Sequence, residues 1–449
     1  MVRAQVTKFT IIDAWRFRRQ ERSLFFWSFL AILVGYLLVV IRKTGRIPSD
    51  WQGYLPLLVY LGAMLFIHLI LVLLKFRGDP LLLAAVFFLA GFGMLTQFRM
   101  GTFEIIISDR LSNYAFPAGL ALMLIVTVLF RRGRFRVLRP FAIPCALLAA
   151  ILLGAILFLG QRYRGALFMP GYINPADLIK ILLMIFLAGY FARWQKEGEH
   201  APVGVTSLVP MLLLWAVPMG LLVLQRDLGM LVLLNAVLLV LAVVATGRIS
   251  YLFVGVLGAG ILGGVMFLFS AHGQARFTTW LTPFADPTGK SWQILQALSA
   301  MYSGGLWGVG LGGGSPQFIP IASSDFIYAV IGEELGYAGC GIVLVFYLVL
   351  FFRGYQIAAR IAAPFGRLLA TGIITTLAFQ TLLNIGGVIK ALPLTGITLP
   401  FISHGGSSLL TTFLGVGLLL AISEKETEIK KIIERPKADK SKSKKMQKG

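Results

Sequence analysis

One carboxylate, Asp325, stands where a long polar segment runs into an apolar one, in Ile319-Pro320-Ile321-Ala322-Ser323-Ser324-Asp325-Phe326-Ile327-Tyr328. Glu333 and Glu334 follow about two turns later, then Gly336. A carboxylate at a water–hydrocarbon boundary loses hydration, so its presence calls for a partner or a use. Two uses fit. It could anchor the chain at the interface, or it could act as a base on a substrate with one polar and one lipid end. A plain helix cap is the structural alternative for Asp325. Glu333 and Glu334 fall inside the apolar segment and need internal partners, so they are expected to form a polar network that holds the helix.

Other polar groups fall at predicted helix ends. Asn174-Pro175-Ala176-Asp177-Leu178-Ile179-Lys180 opens one apolar segment. Asp177 and Lys180 are three residues apart and share a helical face, so they can pair. Gln225-Arg226-Asp227-Leu228-Gly229 forms another turn, where Asp227 could cap the helix starting at Leu228. Lys390 precedes a Pro- and Thr-containing stretch that leads to Ser403-His404-Gly405-Gly406-Ser407-Ser408. Lys390 could snorkel to lipid phosphate, and His404 could serve as an interfacial hydrogen-bonding residue. Ser303–Gly314 is dense in glycine, which permits positive φ and close backbone approach. It is no dinucleotide or phosphate-loop fingerprint, because no strand precedes it and no lysine follows in register. A tight re-entrant turn is expected there, with a flexible lid as the alternative. Cys145 and Cys340 fall in apolar segments and support neither a disulfide framework nor a metal site.

These residues sit in a membrane protein. The chain is 57% hydrophobic and 13% charged, with a mean hydropathy of +0.83; soluble proteins carry about 25% charged residues. The fold class expected is an all-α integral membrane bundle of about twelve helices. Apolar runs near 24–41, 54–74, 80–97, 113–130, 138–160, 176–192, 204–224, 228–246, 250–270, 325–352, 368–389 and 406–423 supply them. With the N-terminus inside, about 29 of the 41 basic residues fall in cytoplasmic segments, which sets the orientation with both termini cytoplasmic. The net charge of +22 then reflects attraction to anionic inner-leaflet lipid and not to nucleic acid. The organisation expected is a basic N-terminus (1–23), a transmembrane hairpin (24–75), a core (76–423) and a Lys-rich, disordered tail (424–449). Within the core, a long external loop (271–324) is expected to fold over the outer mouth, with an interfacial helix near Ser291–Leu298.

The run from Asp286-Pro287 through SGGLWGVGLGGG, SSDFIYAVIGEELG, PFGRLLATGI and NIGGV to PLTGITLPFISHGGSSLL resembles the SEDS family of RodA, FtsW and SpoVE proteins. The resemblance is dense over about residues 160–423. It implies a ten-helix core starting near RGDPLLLAAVFFLAGFGMLTQF, with the first two spans as an added hairpin. It also implies a peptidoglycan glycosyltransferase that polymerises lipid II outside the cytoplasmic membrane, beside a class B penicillin-binding protein that crosslinks the strands. Carried over, the family's essential aspartate is Asp325. Its Gln-Pro-Ser-Glu-x-x-Lys motif falls on Asn174–Lys180 and its Gln-Pro-Asp-Leu-Gly motif on Gln225–Gly229. Here Ser323 and Ser324 replace His-Thr, Asp177 replaces Glu, Arg226 replaces Pro, and His404 stands where Tyr is usual.

In the mechanism this implies, Asp325 is the general base for a GlcNAc 4-hydroxyl that displaces undecaprenyl diphosphate from MurNAc with inversion. Lys180 leads the candidate cations for the leaving diphosphate, with Arg226 and Lys390 beside it. Asp177, Asp227 and Ser407 complete the expected substrate-binding set. No motif demands a cofactor; a divalent cation, magnesium or manganese, is the alternative counter-ion, although no ligand cluster is visible. The other functions are a lipid II flippase and a scaffold that recruits the transpeptidase. A flippase should place charges along a path through the membrane, whereas Asp177, Lys180, Asp227 and Asp325 are expected near one surface. Elongation, division and sporulation are not distinguished.

Overall fold

The computed structural model describes residues 10–47, 51–103, 114–163, 166–168, 176–195, 205–269 and 271–424. Asn174, Pro175 and the basic tail therefore lie outside the described residues. The chain begins with a short helix, α1 (Ile11–Phe17), whose Thr10 and Asp13 form a capping box. There follow α2 (Arg19–Thr44), α3 (Leu55–Leu73), α4 (Pro80–Arg99), α5 (Ala115–Phe130) and α6 (Ala142–Leu159). Next come α7 (Ala176–Phe191), α8 (Val205–Gln225), α9 (Leu228–Thr246) and α10 (Ser250–Phe269). After the loop helices α11 (Ala271–Leu281) and α12 (Trp292–Gly304), α13 (Ile327–Arg360), α14 (Pro364–Val388) and α15 (Gly406–Glu424) close the bundle. Each of the twelve apolar runs meets a helix. The protein is a polytopic membrane bundle; among the described residues, nine helices are long and apolar enough to cross a membrane. The only departure from all-α structure among those residues is a two-stranded antiparallel ribbon, Gln161–Tyr163 with Ala166–Phe168.

The helices differ in how deeply they are buried. α4 and α14 are buried over 89% and 83% of their apolar windows, so they are central pillars, while α6 is buried over only 28% and borders the bundle. Most of α7 is also buried. α4 is anchored at its N-terminus, where Asp79 accepts from the amides of Leu81 and Leu82 and pairs with Arg353. At its other end, Thr96, Gln97 and Arg99 turn polar: Gln97 donates to the carbonyls of Ser323 and Ile402, and Arg99 to those of Gly312 and Gly314.

The apolar segment 325–352 differs from a single straight span. Its helix extends to Arg360 but breaks at Gly336, where φ is +67° and ψ is −170°. A β-carbon at Gly336 would stand 2.4 Å from the Leu306 carbonyl oxygen, so only glycine fits. The break leaves backbone groups without helical partners, and the glycine-rich segment supplies them. Val309 and Gly310 donate to the carbonyls of Glu333 and Glu334, while the amides of Tyr337 and Ala338 donate to those of Gly305 and Leu306. Irregular backbone inside a bundle is tolerated when protein satisfies it in this way. The segment is therefore a re-entrant turn locked to a half-helix, Ile327 to Leu335, whose N-terminal end follows Asp325.

Candidate active site

Three consecutive carbonyls fix the backbone of Asp325. That of Ser323 accepts from the Gln97 side-chain amide (3.0 Å) and from the His404 backbone N–H (2.8 Å). That of Ser324 accepts from the Ser403 hydroxyl (2.6 Å). That of Asp325 accepts from the Asn384 side-chain amide (3.0 Å), which also donates to Ile397 (2.8 Å). Clamps from α4, α14 and the 397–404 segment thus meet on three residues. Gln97 also donates to Ile402 (2.7 Å), which ties the two clamping segments together. The helix N-cap is Phe326, not Asp325. Asp325 Oδ1 accepts from the Ser324 hydroxyl at 3.0 Å, and the carboxylate is only partly buried. A carboxylate held by rigid backbone and open to its surroundings meets the geometric requirement for a general base.

Charged groups from three other elements lie at the same end of the bundle. Lys180 Nζ sits 2.7 Å from Asp177 Oδ1 and 3.4 Å from Gln380 Oε1, while Ser407 donates to Asp177 Oδ2 at 2.8 Å. This unit is buried: Lys180 is 4% exposed and Asp177 9%. Asp227 caps α9 through the Met230 amide at 3.0 Å. Close contact of Gly229 with the Thr395 carbonyl brings that cap against the 395–397 segment. Burial raises the Asp227 carboxyl above the usual range, and the nearby Asp177 charge adds to this; Arg276 and Lys180 pull the other way.

Sequence reasoning missed Arg276. It lies on α11 and donates to the carbonyls of Leu394 (3.2 Å) and Thr395 (3.1 Å). Burial lowers its guanidinium below the usual range, while Asp227 and Asp325 hold the charge in place. Its charge thus interacts with that of Asp325. A lone arginine in an eleven-residue loop helix gave no motif, and only the fold shows its two carboxylate neighbours. Gln380, Asn384 and Gln97 were likewise invisible as site residues, because an amide inside an apolar run shows nothing of its partner.

Other expected site residues are placed differently. Arg226 is exposed, with φ of +62°. Lys390 has φ of +61°, and its backbone carbonyl accepts from the Trp280 indole at 3.1 Å. Among the described residues no hydrogen bond or ion pair joins either cationic side chain to the cluster. Glu334 pairs with Arg99 at 2.8 Å and accepts from the Gly312 amide at 2.8 Å. Glu333 accepts from the Ser315 amide at 3.0 Å. Both acids thus tie the re-entrant turn to the half-helix. No group of three His, Cys, Asp or Glu residues suited to hold a metal occurs among the described residues. Asp227 and Asp325 both act electrostatically on Arg276.

The profile of the FtsW, RodA and SpoVE family, described as "Cell cycle protein", matches residues 79–428. The Mycobacterium tuberculosis peptidoglycan glycosyltransferase RodA is 33% identical over 437 residues, covering 90% of each chain. A chain solved in a study of structural coordination of polymerization and crosslinking by a peptidoglycan synthase complex superposes with a TM-score of 0.63. It is 26% identical and covers 78% of this chain and 98% of its own. The crystal structure of Thermus thermophilus rod shape determining protein RodA gives a TM-score of 0.56 at 26% identity, with the same coverage. On the match over most of its length and on its kinship with RodA, this chain belongs to the FtsW, RodA and SpoVE family.

Proposed function

We propose that this chain is a peptidoglycan glycosyltransferase acting in cell shape or division, which polymerises lipid II at the external face of the cytoplasmic membrane with Asp325 as general base. The rigid clamp on three successive carbonyls at Asp325, with Arg276 alongside, carries this reading. Asp325 removes the proton from the 4-hydroxyl of a GlcNAc. The freed oxygen pair forms a bond to C1 of MurNAc, and the bond from C1 to undecaprenyl diphosphate breaks. The diphosphate leaves with that electron pair, and direct displacement converts the α-linked donor to a β-linked product. Arg276 or Lys180 neutralises the departing charge. Of these, Arg276 interacts electrostatically with Asp325, whereas Lys180 is held in its buried unit with Asp177.

The positive-inside distribution supports placing the Asp325 end outside and both termini inside. A class B penicillin-binding protein is the proposed partner, in keeping with the synthase complex from which a similar chain was solved. The start of the family match at residue 79 supports reading α2 and α3 as an added hairpin. Asp177, Lys180, Asp227, Arg276 and Asp325 gather at one end of the bundle, which favours surface chemistry over a charged path for lipid II transport.

The test is polymerisation of labelled lipid II by purified protein in detergent, where transport has no meaning. Asp325→Asn should yield no polymer while folding and partner binding persist. Polymer at the wild-type rate from that variant would remove Asp325 as the base.

A further inference from the structure

A groove of about 430 Å³ opens between α11 and the start of α12. This falls within the roughly 300–1,000 Å³ usual for small-molecule sites. Its walls carry two indoles, Trp280 and Trp292, two cations, Arg276 and Lys290, and neutral polar groups from Thr279 and Gln293. The geometry points to a saccharide subsite: we infer that the growing β-linked amino-sugar strand lies in this groove, next to Asp325. The inference rests on the glycosyltransferase reading and extends it by naming where the polymer lies.

Each wall component suits a sugar chain. A β-linked pyranose presents a C–H face that packs on an aromatic ring and a polar rim that hydrogen-bonds. Trp280 is set for this, because its indole N–H donates to the Lys390 carbonyl at 3.1 Å and fixes the ring edge. Trp292, 43% exposed at the first turn of α12, supplies a second platform. The turn before it is fixed by Asp286, which accepts from the Lys290 amide at 3.0 Å. Lys290 then stands at the groove's edge, where carboxylates on a peptide-bearing sugar would meet a cation. Thr279, Thr288 and Gln293 set neutral hydrogen-bonding groups among apolar lining from Ile294, Pro320 and Leu394, the mixture that a sugar's polar rim and C–H face require.

The groove also joins the site. Arg276 forms part of its wall and holds the carbonyls of Leu394 and Thr395. The next residue is Gly396, where a β-carbon would stand 3.7 Å from Asp325 Oδ2. A strand in the groove would therefore present its terminal sugar beside the base.

Full-length protein in detergent tests this with a β-1,4-linked GlcNAc tetramer as probe. Binding is followed by saturation-transfer NMR and titration calorimetry, and product length by gel analysis of labelled lipid II polymer. Trp292→Ala should weaken tetramer binding about tenfold, or about 1.4 kcal/mol, and shorten the polymer. Gln293→Ala, at a second exposed position, should act in the same direction with smaller effect. Unchanged affinity and length in both variants would overturn the inference. So would loss of phosphatidylglycerol micelle binding in the variants with no tetramer binding to wild type, since that would assign the groove to lipid headgroups. Tetramer binding needs no catalysis. A wild-type protein that binds the tetramer but makes no polymer would sink the polymerase reading and leave the subsite standing.

Discussion

Replacing Lys180 asks whether its charge serves the fold or the reaction. Lys180 and Asp177 are nearly buried, their charged atoms are 2.7 Å apart, and Gln380 and Ser407 complete the unit. Removing one member strands the other charge, which costs about 3–5 kcal/mol in buried pairs. Neutralising a stranded carboxylate or ammonium at pH 7 caps the penalty at about 4–5 kcal/mol. Lys180→Met and Asp177→Asn should therefore each destabilise the protein by about 3–4 kcal/mol. The double variant buries no charge and should recover most of that, leaving an interaction energy of a few kcal/mol in the cycle. Thermal unfolding in detergent gives the stabilities, and lipid II polymerisation gives the rates. If Lys180 neutralises the leaving diphosphate, the double variant regains stability and remains inactive. Wild-type polymerisation by the stable double variant would refute that role and make the pair purely structural. Full stability in both single variants would refute the premise that the pair is buried.

Asn384→Ala removes the amide that holds the carbonyls of Asp325 and Ile397. A base displaced by about 1 Å can lose on the order of 100-fold in rate, so kcat should fall far more than KM changes; an unchanged kcat would show that the clamp is redundant. Gly336→Ala places a β-carbon against the Leu306 carbonyl at a left-handed φ and should cost at least about 2 kcal/mol of stability, read by thermal unfolding. The Asp227 carboxyl is raised by burial, so its contribution to stability is greatest at low pH and is lost as pH rises through the folded-state value. Asp227→Asn keeps a cap acceptor for Met230 and removes the charge, so it should match or exceed wild-type stability at neutral pH. That advantage should shrink on acidification, and a gap constant across pH would remove burial as the cause.

The helices were legible because each must present about twenty apolar residues to lipid, and that demand is written locally in the chain. Asp325 was legible too, since a carboxylate beside an apolar run is costly enough to stand out. The break at Gly336 was not. Its residues continue an apolar pattern, and what ends the helix is pairing with Gly305–Gly310, which precede it by some thirty positions. Arg276 was hidden for a similar reason: its two carboxylate neighbours come from different loops, Asp227 before α9 and Asp325 before α13. Gln97 and Asn384 read as stray amides within spans until the fold sets each against the backbone near Asp325. Local periodicity records what lipid requires of a helix, whereas the site depends on which loop ends meet.

The half-helix explains why so much backbone is spent on one acid. A base must stay within hydrogen-bond reach of a hydroxyl carried by a lipid-linked substrate, so its position cannot depend on a freely moving loop. Asp325 precedes the half-helix, and Glu333 and Glu334 end it. At the near end, Gln97, Ser403, His404 and Asn384 hold the three carbonyls. At the far end, Glu333 and Glu334 hold the amides of Ser315 and Gly312, and Arg99 holds Glu334. Gln97 and Arg99 lie two residues apart on α4, so one buried pillar steadies both ends of the short element. The glycine turn is therefore part of the mounting of Asp325, the proposed base. Its freedom of φ serves close backbone pairing, and a hinge at Gly308–Gly312 would have to break the hydrogen bonds to Glu333 and Glu334 before it could open.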